Sequence, residues 1–164
     1  MESRKIVFDK LPNNLYEFKV LANSLMDNPF GTTALTILAF TYYPKDQELS
    51  LAMVDYLRGP RPLSMLDKQF IADRFREKDY VPRSYFEGAV PQNDYEASEP
   101  HAIVVSDNPY SYKNEGYATL YVSSGGADNP RQVQLRKAKD NKWYLWEQFI
   151  LVDIRPCESA NPWA

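Results

Sequence analysis

The sequence predicts an α+β fold, about four helices packed on a four- to five-stranded antiparallel sheet formed by the C-terminal half. Three observations carry this expectation. Through residues 12–79 apolar residues recur about every 3.6 positions, the period of a helix. Through residues 101–156 they alternate, the period of a strand. Between the two lies a stretch rich in proline and tyrosine, residues 80–100, where Pro82, Gly88, Pro91 and Pro100 rule out a long helix. A short tail, 157–164, follows. The helices alone have no partner for their apolar stripes, so residues 1–164 are expected to form one α+β domain. The length fits one domain, and such a chain hides roughly 68–70% of its unfolded surface without a disulfide or metal.

The elements follow in order. Lys5 to Phe8 reads as a short edge strand or an extended lead-in. Pro12, Asn13 and Asn14 open a helix whose stripe is Leu15, Phe18, Leu21, Ala22 and Leu25. Asn28 can cap the next helix, with Pro29 at the first helical position, where proline is tolerated. From Pro29 to Tyr42 that helix carries no charge and is apolar nearly all round, so it belongs inside. Pro44 stops it. Lys45 to Leu57 is amphipathic, with Arg58 in its last turn and Gly59 at its C-cap. Pro62 or Ser64 opens a fourth helix, with Leu66, Phe70, Ile71 and Phe75 as its stripe. The aromatics of 80–100 point to a loop packed by its own side chains rather than a free linker.

Ala102 to Val105 is the first strand of the second half. From Gly116 to Ser123, Tyr117, Thr119 and Tyr121 share one face, and Ala118, Leu120 and Val122 the other. Arg131 to Lys137 turns Val133 and Leu135 inward. Lys139 to Lys142 is a hairpin turn. Lys142 to Asp153 is apolar on both faces, which predicts a central strand. The tail is expected to tuck Trp163 onto the body.

Composition excludes several classes of function. With a single cysteine, Cys157, no disulfide forms within the chain, and with a single histidine, His101, no His-rich metal centre or HExxH site exists. No metal site and no cofactor is expected. A net charge of −3 argues against nucleic acid. The longest uncharged run, Pro29 to Pro44, is shorter than the roughly 20 apolar residues of a membrane span, and the N-terminus lacks an apolar signal core. These points favour no membrane and a cytoplasmic setting.

Candidate sites are few. In the loop Ser123 to Arg131, paired Gly125 and Gly126 could turn backbone N–H groups onto an anion, with Arg131 adding charge; a wide hairpin loop explains the same residues. Arg83 and Arg155 join Arg131 as candidate ligand-binding cations. Asp73, Tyr80 and His101 are the groups that could move protons, and Asp73 and Arg76 are spaced for a helix-surface ion pair. The chain holds 12 tyrosines, which suit half-buried faces and interfaces. Tyr85, Phe86 and Tyr95, with Tyr110, Tyr112 and Trp163, are therefore candidates for an exposed interaction surface.

Several segments, PFGTTALTILAF, LRGPRPLSMLDKQFIADRF, YVPRSYFEGAVPQNDYEASEP, SSGGADNPRQVQLRK and KWYLWEQFILVDIRP, resemble an uncharacterised bacterial domain-of-unknown-function family. That resemblance implies a bacterial protein and transfers no catalytic or binding residue. A looser architectural likeness is to the NTF2-like fold, in which helices cover a curved antiparallel sheet. The expected function is a non-catalytic binding or protein-interaction module, with an unknown protein partner and a homodimer among the assemblies it allows. The alternative is a small-ligand-binding protein or enzyme whose cleft between helices and sheet holds an anionic ligand.

Overall fold

A computed structural model describes residues 1–163. Strand β1 (Ser3–Phe8) comes first, then helices α1 (Leu15–Leu25), α2 (Pro29–Thr41), α3 (Gln47–Arg58) and α4 (Met65–Phe75). After two short 3-10 turns come β2 (His101–Ser106), β3 (Tyr117–Val122), β4 (Arg131–Lys137) and β5 (Trp143–Gln148). The five strands form one antiparallel sheet in the order β1-β2-β3-β4-β5, so all four helices lie between its first two strands. The α+β fold is as the sequence predicts. The sheet, however, also takes a strand from the N-terminus: β1 pairs with β2 along its whole length, from Ser3 opposite Ser106 to Phe8 opposite His101.

Each helix starts on a side chain that satisfies an otherwise orphaned backbone donor. The Asn14 carboxamide oxygen accepts from the Glu17 N–H at 2.8 Å, and that of Asn28 from the Gly31 N–H at 2.9 Å. Asp46 accepts from the Leu49 N–H at 3.1 Å. Ser64 and Asp67 form a reciprocal capping box, with bonds of 3.0 and 2.9 Å.

α2 is buried from Pro29 to Phe40 and touches all five strands. It is the pillar of the core, which is why it carries no charge. Its threonines are buried without cost in orphaned hydroxyls: Thr33 and Thr36 donate to the carbonyls of Pro29 and Thr32, each at 2.8 Å, and Thr32 donates to the Trp143 carbonyl at 2.7 Å. Against α2 the sheet presents Ala118, Leu120, Val122, Val133, Leu135 and Leu145, all buried.

Three expectations are corrected. β5 is an edge strand, not a central one. Its apolar character has another cause: helices and their linkers cover its free side. The Trp143 N–H donates to the Met26 carbonyl at 2.8 Å, and Arg61 donates to the Trp146 carbonyl. β5 also carries a bulge, because Leu135 pairs with Leu145 but Gln134 with Glu147, leaving Trp146 as the extra residue. On α4 only Ile71 and Phe75 of the expected stripe are buried; Leu66 and Phe70 face solvent. Trp163 is exposed rather than tucked against the body.

Candidate functional site

Residues 80–100 fold back onto the segment after β5. That segment, Phe149 to Arg155, leaves the sheet, so its backbone carbonyls need other donors. The loop supplies them from tyrosines. Tyr85 donates to the Ile150 carbonyl at 2.6 Å, Tyr80 to that of Ile154 at 3.1 Å, and Tyr95 to that of Arg155. Tyr80 and Tyr95 stack with their ring centres 5.4 Å apart. Tyr95 has φ 57°, the left-handed region that costs a non-glycine residue roughly 1–2 kcal/mol, so the stack and the phenol bond hold it there. Burial, and then the Tyr80 phenol beside it, pushes Tyr95 up to about 12; burial raises Tyr85 as well.

The expected exposed surface at Tyr85, Phe86 and Tyr95 is therefore corrected: all three are buried, each with a structural partner. Phe86 meets the His101 ring edge-on at 5.1 Å. Tyr110, Tyr112 and Trp163 are exposed.

The Gly125–Gly126 loop is not an open anion cradle either. The Gly125 N–H donates to the Ser84 carbonyl at 3.0 Å and the Gly126 N–H to the Ser124 hydroxyl at 3.1 Å. Both glycines are there for close packing. A Cβ on Gly125 would lie 1.9 Å from the Ala89 carbonyl oxygen, and one on Gly126 2.0 Å from the Tyr95 hydroxyl. The three cations expected around this loop are spent on the chain itself. Arg131 donates to the carbonyls of Asn129 and Asp153 at 3.0 and 2.9 Å. Arg83 donates to the Asp94 carbonyl at 3.1 Å, and Arg155 pairs with Asp128 at 3.1 Å. The candidate proton-transfer groups lie in separate neighbourhoods: Asp73 pairs with Arg76 at 3.0 Å on the exposed face of α4, Tyr80 binds Ile154, and His101 sits beside Glu99 at 3.4 Å.

A second region gathers charge without spending all of it. A cleft of about 560 Å³ opens between the end of α3 and the β4–β5 hairpin. Arg58 and Arg61 line it from the helical side, and Arg136, Lys137 and Lys139 from the hairpin, with Tyr144 and Trp146 between. Among the described residues no carboxylate lines it, whereas four other surface clefts each mix acids with bases. Gly59 lets the two walls meet: its φ is 61°, and a Cβ there would lie 2.5 Å from the Tyr144 ring.

The three guanidinium groups are held at fixed places. Arg58 is buried, donates from Nε to the Arg61 carbonyl at 2.9 Å, and lies 3.7 Å from Asp67. Burial lowers its pKa from the ordinary value, and the Arg61 charge lowers it further. Arg61 lies over the Trp146 ring at 3.9 Å and reaches Glu147 at 3.3 Å, while its own Nε is buried without a partner. Arg136 lies 5.0 Å from the Trp146 ring centre and 5.1 Å from that of Tyr117. Among the described residues, Arg136, Lys137 and Lys139 have no side-chain hydrogen bond or ion pair. The bulge that turns Trp146 out of register thus supplies the platform for two guanidinium groups.

In the sequence Arg58 marks a helix end and the residues around Lys139 a turn, with nothing local to join them. The available signal was two short basic runs, Arg58-Gly59-Pro60-Arg61 and Arg136-Lys137-Ala138-Lys139.

No group of three or more His, Cys, Asp or Glu side chains that could hold a metal ion occurs among the described residues, and no described helix is long and apolar enough to cross a membrane. No curated protein and no solved structure matches the chain, so the NTF2-like likeness gains no support. One family model does match, over residues 10–158, and by that match the chain belongs to the family described as Domain of unknown function (DUF6935).

Proposed function

We propose that this protein is a non-catalytic binding module that holds an anionic group in the cleft between α3 and the β4–β5 hairpin. The observation that carries this reading is five cations lining one cleft with no carboxylate among its lining residues, in a chain whose net charge is −3. A fixed cluster of like charges is relieved by an anion, and guanidinium groups held in place lose little freedom on binding one. Arg136, Lys137 and Lys139 contribute charge that has no partner among the described residues. Arg58 acts from below, as a buried positive floor.

Citrate and pyrophosphate, titrated calorimetrically into the full chain at low and moderate salt, test the reading. Saturable binding that weakens with salt and is lost in the Arg136→Ala/Lys137→Ala double variant is the expected result. Equal binding by the double variant, with unchanged thermal stability, would rule the cleft out.

A further inference from the structure

The basic cleft does not end at the hairpin. A second groove, about 340 Å³, continues between α4 and β5, and the two share Arg58 and Leu145 in their linings. This neighbour exposes large apolar side chains from both α4 and the end of β5. α4 is pinned by its capping box and by Arg58 against Asp67, and in that pose it points Leu66 and Phe70 outward, 75% and 45% exposed. Phe149, 46% exposed, faces the same groove from beyond β5. Leu66 and Phe70 are four residues apart, one helical turn, so they form one ridge. A capped helix with half of its stripe turned to water has surface to bury that its own chain leaves uncovered.

We infer that the cleft and this groove together dock an acidic–apolar polypeptide segment of a partner protein, its carboxylates on the Arg61–Arg136 side and its bulky apolar side chains against Leu66, Phe70 and Phe149. This rests on the anion-binding reading above and adds the class of ligand. Charge complementarity selects the acidic half: five cations line that end. The form of the groove selects a polypeptide. Leu66, Phe70 and Phe149 stand out as separate exposed side chains rather than as walls that enclose a ligand. A hydrocarbon chain needs an enclosed apolar slot instead, whereas separate exposed side chains suit the side chains of a peptide.

The test begins with a selection of short random peptides displayed on phage against the full chain, followed by fluorescence anisotropy with one labelled, enriched peptide. Enriched sequences are expected to place Asp or Glu beside Leu, Phe or Trp. Affinity is expected to fall roughly tenfold or more in Phe70→Ser and in Arg136→Glu, as for residues central to an interface. Leu66→Ser gives a second, more exposed change, and thermal melts of all three variants establish that the fold is kept. Loss with Arg136→Glu but not with Phe70→Ser or Leu66→Ser overturns this inference and leaves the anion cleft standing. Indifference to all three overturns both. Enrichment without acidic residues overturns the charge pairing. Dodecanoate binding with the same sensitivity to Phe70 and Arg136 overturns the polypeptide in favour of an amphiphilic lipid.

Discussion

The tyrosine-lined loop and the hairpin cleft use the same residue types for opposite ends. In the loop, Tyr80, Tyr85 and Tyr95 and the cations Arg83, Arg131 and Arg155 all reach chain atoms or a neighbouring carboxylate. In the cleft, Arg136, Lys137 and Lys139 do not, and Trp146 serves as a platform for charge. The difference is one of accounting rather than composition. Backbone that leaves a sheet must be satisfied, and whatever side chains stand nearest are consumed in doing so. Only cations beyond that demand are free for a ligand.

That contrast predicts effects of different size and kind. The largest belongs to the loop side: Gly125→Ala drives a Cβ into a backbone carbonyl, and should cost about 3 kcal/mol of stability, near the upper end for overpacking, seen as a lower urea midpoint. Tyr85→Phe comes next. It strips the Ile150 carbonyl of its phenol donor in a buried setting, at a cost of roughly 1–3 kcal/mol. Tyr144→Phe loses only a bond to exposed Asp140, so it should cost less than Tyr85→Phe in the same urea series.

A third effect is in pH. The phenol of Tyr95 is raised from 10.0 to about 12 in the fold, so its neutral form is favoured there. Its stabilisation is fully present below pH 10 and is lost as pH rises through 12, when the phenol gives up the proton it donates to Arg155. Urea midpoints measured from neutral to strongly alkaline pH should fall steeply in that window for the native chain and less steeply for Tyr95→Phe. The smallest effect on stability is on the cleft side. Arg136→Ala should stay within about 0.5 kcal/mol of the parent, as surface changes do, while removing the thermal stabilisation that citrate gives. If the order were reversed, with Arg136 the costlier loss in the urea series, the division between the two regions would fall.

The helical half was largely legible because its signals are local. Asn28 caps where the sequence placed it, Asn14 and Ser64 are the caps among the residues read as helix openers, and the uncharged α2 is buried. Lys5 to Phe8, read as an edge strand or a lead-in, is one edge of the sheet, but the position of β5 was not legible. β5 is apolar on both faces because the α1–α2 turn and the Arg61 linker cover its edge, a fact of tertiary packing that alternation cannot report. Likewise Leu66 and Phe70 fit a helical stripe, yet the capping box and the Arg58–Asp67 pair fix a rotation that buries Ile71 and Phe75 instead. The candidate site was missed for a related reason. Its two basic runs lie some distance apart in the chain, and only the hairpin brings them face to face, whereas the Gly125–Gly126 pair drew attention by a local pattern that packing explains.

The pairing of β1 with β2 has a kinetic side. Residues 9–100 separate the two strands, so the first ladder of the sheet closes a very long loop. Loop closure and non-local pairing are the slow parts of folding. Strands β2 to β5 are joined by short connections and can assemble with α2 behind them; β1 is expected to dock late, as a latch on a helical layer already in place. Until it does, β2 stands as an open edge carrying Ile103 and Val105, the kind of edge that templates association between chains. The docking of β1, at the sheet edge opposite β5, is thus expected to set how long β2 stays open to a neighbouring chain.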